Sequence, residues 1–191
     1  MAKTEIQKIQ KELSKELDAK RYEHTLGVAY TASCMAMRYG YDLKKAYIAG
    51  LLHDCAKGMT HEARLNYCKK YDLEVTDVEK KNPSLLHAKV GADMCLRKYG
   101  IEEEEIASAV RYHTTGKPDM SLLEKIIFIA DYVEPHRKEI PGLDEAREIL
   151  FCDLDETLRT ILKHNLQYLE ESDKVIDSLT RQTYEYYTKQ E

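Results

Sequence analysis

Six side chains in this sequence are of types that hold metals or move protons: His24, His53, Asp54, His87, His113 and Asp131. They centre on Ala49-Gly50-Leu51-Leu52-His53-Asp54-Cys55-Ala56-Lys57, where an imidazole and a carboxylate stand together at the end of an apolar run. Ile48, Leu51 and Leu52 ask for burial, and a carboxylate carried inward with them needs a partner. A divalent metal is the partner that uses a neutral imidazole and an ionised carboxylate at once. Asp131, set beside Ile127, Phe128, Ile129 and Ala130, has the same need. One His-Asp pair arises easily by chance, so a metal site requires that the other ligand types reach the same place.

The spacing of two glycines indicates that they do. Arg38-Tyr39-Gly40 and Lys98-Tyr99-Gly100 each join two helical stretches, and a histidine follows each glycine after 13 residues, His53 and His113. Looking backwards, His24 lies 16 residues before Gly40 and His87 lies 13 before Gly100. At about 1.5 Å per residue, each histidine stands roughly 20 to 24 Å from its turn. Two antiparallel hairpins would therefore set His24 beside His53, and His87 beside His113, at one end of a bundle. His61, His136 and His164 have no such placement and read as ordinary helix-start, loop and surface histidines.

The elements that must carry these residues are helical throughout. Four prolines and eight glycines interrupt a chain dense in Glu, Lys, Leu and Ala, with no sustained period-2 alternation. The expectation is an all-α bundle of about eight to ten helices. Ile6, Ile9, Leu13 and Leu17 mark a first amphipathic helix; a second spans about Arg21 to Arg38, and a third runs from near Asp42 through His53-Asp54 towards Gly58. Thr60 caps a short helix to Lys70, Thr76 and Glu79 form a capping box, and a helix follows Pro83 from Ser84 to about Tyr99. The next, loaded with acids at Glu102 to Glu105, ends near His113 and yields to the loop Thr114-Thr115-Gly116-Lys117-Pro118. Ser121 and Glu124 open a helix striped by Leu122, Ile126, Ile129 and Val133 and closed by Pro135. Long helices then run from Asp144 to Tyr187, with a break near Ser172-Asp173.

Length and composition bound the function. One domain over residues 1–191 is the simplest organisation, and a chain of this size buries roughly 70% of its unfolded surface without staples. Five dispersed cysteines without a C-x-x-C spacing read as reduced thiols, which points to the cytoplasm. Neither a signal peptide nor a membrane span is present in the pattern. A net charge of −5 without a basic block argues against a nucleic-acid partner, while a small phosphorylated ligand needs only a metal and two or three cations. Assembly as a homodimer stays open.

The order H … HD … H … H … D in a helical chain resembles the HD-domain superfamily of metal-dependent phosphohydrolases. Five local stretches carry a closer likeness: Arg21-Tyr22-Glu23-His24-Thr25-Leu26-Gly27-Val28, Gly50-Leu51-Leu52-His53-Asp54-Cys55-Ala56-Lys57, Leu85-Leu86-His87-Ala88-Lys89-Val90-Gly91-Ala92, Arg111-Tyr112-His113-Thr114-Thr115-Gly116 and Ile129-Ala130-Asp131-Tyr132-Val133-Glu134-Pro135-His136-Arg137. These resemble the YqeK-type bacterial HD proteins, and the match runs over about residues 20–142. The resemblance implies cleavage of diadenosine tetraphosphate into two ADP at one or two bound iron ions, with manganese or zinc as chemically similar substitutes. It also implies that His24, His53, Asp54 and Asp131 hold a first metal. His87 and His113 would complete a second site with Asp54 bridging, or face the phosphate directly. Asp54, Lys57, His87 and His113 are then the candidate catalytic groups, and Lys57, Thr114 and Arg137 join the histidines as substrate contacts. Two other functions fit the same residues: an HD-type mononucleotide phosphohydrolase, and a non-catalytic sensor of metal and ADP.

Overall fold

The computed structural model describes residues 3–172 and 175–189. The described residues form eleven helices and no strand: α1 (Lys3–Glu16), α2 (Ala19–Tyr39), α3 (Leu43–Leu52), α4 (His61–Lys70), α5 (Asp77–Lys81), α6 (Leu86–Arg97), α7 (Glu104–Tyr112), α8 (Leu122–Val133), α9 (Leu143–Ile149), α10 (Leu154–Glu171) and α11 (Ser178–Thr188). The all-α expectation holds, and the count exceeds the eight to ten expected because the chain breaks more often than its pattern suggests. The stretch from Asp144 onward is broken early as well: α9 stops at Ile149, and Asp153 caps α10 by accepting from the Glu156 N–H. The break expected near Ser172-Asp173 falls partly outside the described residues, with α10 ending at Glu171.

The two mirrored turns explain how four helices come to share one end. Gly40 and Gly100 both take left-handed backbone, at φ 73° and 65°, which a side chain would resist. Each is sealed by a hydrogen bond reaching back over the helix end, Tyr41 N–H to the Ala36 carbonyl and Ile101 N–H to the Cys95 carbonyl. The α2–α3 and α6–α7 hairpins that follow pack on α8, whose Leu123, Ile126, Ile127 and Ile129 are wholly enclosed. Leu13 of α1 and Leu158 of α10 close the same core from outside.

The third helix does not continue through His53-Asp54 to Gly58. It ends at Leu52, and the chain descends through short turns in which Cys55 N–H bonds the Leu52 carbonyl and Lys57 N–H bonds the Asp54 carbonyl. A buried arginine replaces the missing helical bonds. Arg64, only 5% exposed, donates to the carbonyls of Ala56, Lys57, Met59 and Pro83 at 2.7 to 3.2 Å. This one fork fixes the turn that carries Asp54 and Lys57. Arg64→Met keeps the bulk and deletes all four bonds, leaving carbonyls without partners; it should cost about 2 to 4 kcal/mol in urea unfolding. A loss under 0.5 kcal/mol would show the turn to be self-supporting.

Candidate metal centre

The histidine pairs meet as the spacing requires. Ring centroids lie 5.4 Å apart for His24 and His53, 5.0 Å for His87 and His113, and 5.2 Å for His53 and His113. Each ring is held by its Nδ1. That of His53 donates to the Gly50 carbonyl at 2.7 Å, that of His87 to Ser84 at 2.6 Å, and that of His113 to Val110 at 2.7 Å, in each case three residues back. His24 differs, donating to the carboxylate of Glu134 at 2.9 Å. With the proton placed on Nδ1, all four Nε2 lone pairs point at one small volume.

The atoms there fall into two groups, His24, His53 and Asp131 in one and Asp54, His87 and His113 in the other, each within 4.8 Å. Ligands about 2.1 Å from an ion, at angles of roughly 90 to 110°, stand about 3.0 to 3.4 Å from one another. In the first group His24 Nε2 lies 3.0 Å and His53 Nε2 3.7 Å from Asp131 Oδ1. In the second, Asp54 Oδ1 is 3.2 Å from His87 Nε2 and 3.5 Å from His113 Nε2, which are 3.1 Å apart. Asp54 spans both, because its Oδ2 is also 3.7 Å from His53 Nε2. Among the described residues the Nε2 atoms of His24 and His53 are buried without an aligned hydrogen-bond partner, that of His24 standing 3.0 Å from Asp131 Oδ1. Two facing lone pairs at 3.1 Å and two orphaned nitrogens beside carboxylates are a donor set that fits divalent cations.

The remaining sequence candidates stand at the rim. Lys57 Nζ lies 3.2 Å from His87 Nε2 and 3.8 Å from Asp54 Oδ1; the Thr114 hydroxyl is 3.2 Å from His113 Nε2; Arg137 donates to Asp131 at 3.3 Å. His61 starts α4, His136 faces Glu23 at 3.7 Å and His164 faces Glu145 at 3.1 Å, all outside the cluster. Two participants escaped the sequence reading. Arg21, one helical turn before His24, donates to Asp54 Oδ2 at 2.8 Å and so fixes the spanning carboxylate. Glu134, fully buried, accepts hydrogen bonds from His24 Nδ1–H at 2.9 Å and from the His136 N–H at 2.7 Å. Its signal was a carboxylate one turn after Asp131, and room for it is made by Gly27, where a Cβ would come within 2.4 Å of Glu134 Oε2.

Charge follows this geometry. Burial opposes ionisation of His24, but Asp131 and Glu134 outweigh it and lift the imidazole from 6.5 to about 9. His53, wholly enclosed, is driven down by burial to about 4. Burial also lowers Lys57 and His87. For Asp54 and Asp131 burial favours the acid form, yet the histidines and cations around them prevail and hold both well below the ordinary carboxylate range. Asp131 and Glu134, on the two sides of the His24 ring, thus favour its protonated form.

Three measurements check this. Asp54→Ala removes the one side chain shared by both groups and should abolish stoichiometric metal; retention of full metal would refute the shared role. Gly27→Ala touches no ligand but displaces Glu134, and should weaken metal affinity by about 10- to 100-fold, as loss of a carboxylate behind a ligating imidazole does; unchanged affinity would mean that Glu134 does not orient His24. Finally, the raised His24 pKa stabilises the metal-free fold fully below about 6.5 and is lost as pH rises through about 9. Metal uptake near neutral pH must then expel that proton, so calorimetry in buffers of different ionisation enthalpy should register proton release that fades above about pH 9.

Comparison with known proteins agrees with the geometry. The HD domain family model matches residues 21–136. A Bacillus subtilis protein named symmetrical bis(5'-nucleosyl)-tetraphosphatase is 39% identical over 172 residues, covering 90% of this chain and 91% of that one. A Staphylococcus aureus protein of the same name is 36% identical over 184 residues, covering 95% and 94%. A solved Clostridium acetobutylicum structure, described as a predicted HD superfamily hydrolase involved in NAD metabolism, superposes with TM-score 0.92 at 38% identity, covering 97% of this chain and 98% of that one. With the family model matched over residues 21–136 and relatives 36 to 39% identical over nearly their whole length, the chain belongs to the HD-domain family.

Proposed function

We propose that this chain is a metal-dependent phosphoanhydride hydrolase that cleaves diadenosine tetraphosphate at its central anhydride, giving two ADP. The observation that carries the reading is Asp54, held by Arg21 between two His-carboxylate groups with Lys57, Thr114 and Arg137 around them. The names of the relatives supply the substrate.

In this reading His24, His53, Asp54 and Asp131 hold one ion, while Asp54, His87 and His113 hold a second or meet the phosphate directly. Iron is the metal we propose; the mixture of imidazole nitrogen and carboxylate oxygen also suits manganese or zinc. Bound metal supplies Lewis acidity at the phosphoryl group and a water of lowered pKa. The chain's own side chains do the rest. Asp54, with no proton of its own, accepts a hydrogen bond from the attacking water and aligns it. Arg137 offers a planar fork to two phosphate oxygens, and Thr114 donates its hydroxyl to a third. Lys57, beside His87, neutralises the charge that grows on the phosphoryl group under attack. No helix among the described residues is long and apolar enough to cross a membrane, and the free thiols suit the cytoplasm, where we place the enzyme.

Hydrolysis in oxygen-18 water tests the register. One ADP per turnover should carry the label on its terminal β-phosphate. AMP with ATP would mean asymmetric cleavage, inorganic phosphate would favour a mononucleotide phosphohydrolase, and tight ADP binding without turnover would favour a sensor. ADP should inhibit competitively. AMP, lacking the β-phosphate, should bind about tenfold or more weakly, the loss of one charge-assisted contact; equal inhibition by AMP and ADP would contradict a grip on the phosphates.

A further inference from the structure

A substrate cut at its middle bond has two nucleotide halves, and cavities flank the metal centre on two sides. On the His113 side, cavities of about 230 and 260 Å³ meet at Thr114 and Thr115 and contain Phe128, Tyr132 and Tyr112. On the His24 side lies a groove of about 590 Å³, within the range of ligand sites. Arg137 borders both this groove and the 230 Å³ cavity, so the centre forms a waist between them.

The groove's chemistry differs from that of the opposite side. Among the described residues no Phe or Tyr lines it, and Ile140 is its one aliphatic wall. Two of its acids are engaged, Asp18 capping α2 through the Arg21 N–H and Glu134 held by His24 and the His136 N–H, while Glu23 lies exposed 3.7 Å from the His136 ring. Arg21 and Arg137 are paired with Asp54 and Asp131. Lys20 and Lys138 remain, both exposed on the rim and, among the described residues, with no ion pair to satisfy them. Unpaired ammonium groups at the mouth of a groove that opens from a phosphate-cleaving centre select for anionic oxygen.

We propose that this groove is the subsite for the departing half of the substrate, a nucleoside diphosphate held at its phosphates by Lys20 and Lys138 and not selected for its base. The proposal rests on the functional reading above, with the attacked half on the His113 side. The test is the pair of double variants Lys20→Ala/Lys138→Ala and Lys20→Arg/Lys138→Arg, assayed with diadenosine tetraphosphate at fixed metal content. The alanine pair should lower kcat/KM about tenfold or more, while the arginine pair stays within about threefold. The affinity for ADP, taken up on the His113 side, should be unchanged in both. If the unaltered enzyme forms no ADP from the tetraphosphate, the functional reading itself fails. If it does form ADP, an alanine pair within about twofold of it, or an arginine pair as impaired as the alanine pair, overturns the groove assignment alone.

Discussion

The structure depends on one constraint: four imidazoles, fixed at Nδ1, direct their lone pairs at two carboxylates inside a packed core. Without a cation such an arrangement is electrostatically unsatisfied, and the metal-free chain meets the demand in part by keeping a proton on His24. Everything near the centre serves to hold it open. Carbonyls three residues back clamp three of the rings, so each ring's direction is set by the backbone where its helix begins or ends. The helix ends are therefore part of the site. His53 and His113 each follow the last residue of a helix, α3 and α7.

That same constraint explains what could be read from the sequence. The spacing of Gly40 to His53 and Gly100 to His113 is a length, and rigid helices convert a length in residues into a position in space. Thus the pairing of His24 with His53 and of His87 with His113 was legible, as were the caps at Thr60, Thr76 and Ser121. Arg21, Glu134 and Arg64 were not. Their contacts, to Asp54, to His24 and to four loop carbonyls, depend on how one helix is rotated against another and on where a loop descends. Periodicity fixes which face of a helix is apolar, but a charged residue at a face's edge reads the same whether it reaches into solvent or inward. The break between α9 and α10 was hidden for a related reason: the Asp153 cap lies in a stretch whose apolar residues, Leu150 and Leu154, still keep helical spacing across it.

The two histidine pairs are mirrored in spacing but not in environment. His87 and His113 are both backed by neutral carbonyls, whereas His24 is backed by the buried carboxylate of Glu134. A carboxylate behind an imidazole makes its Nε2 a stronger donor, so in the proposed reading the His24, His53 and Asp131 group would hold a cation the more tightly. The opposite group has Lys57 within 3.2 Å of His87 and the Thr114 hydroxyl beside His113, two groups suited to a phosphate. One half of the centre is thus built to retain charge and the other to receive a ligand. Asp54 stands between them with one oxygen towards each, fixed by Arg21, and a water placed against it would have a held cation on one side and an open phosphate seat on the other. The proposed in-line displacement would use that arrangement, which two hairpins of similar spacing and different backing groups supply.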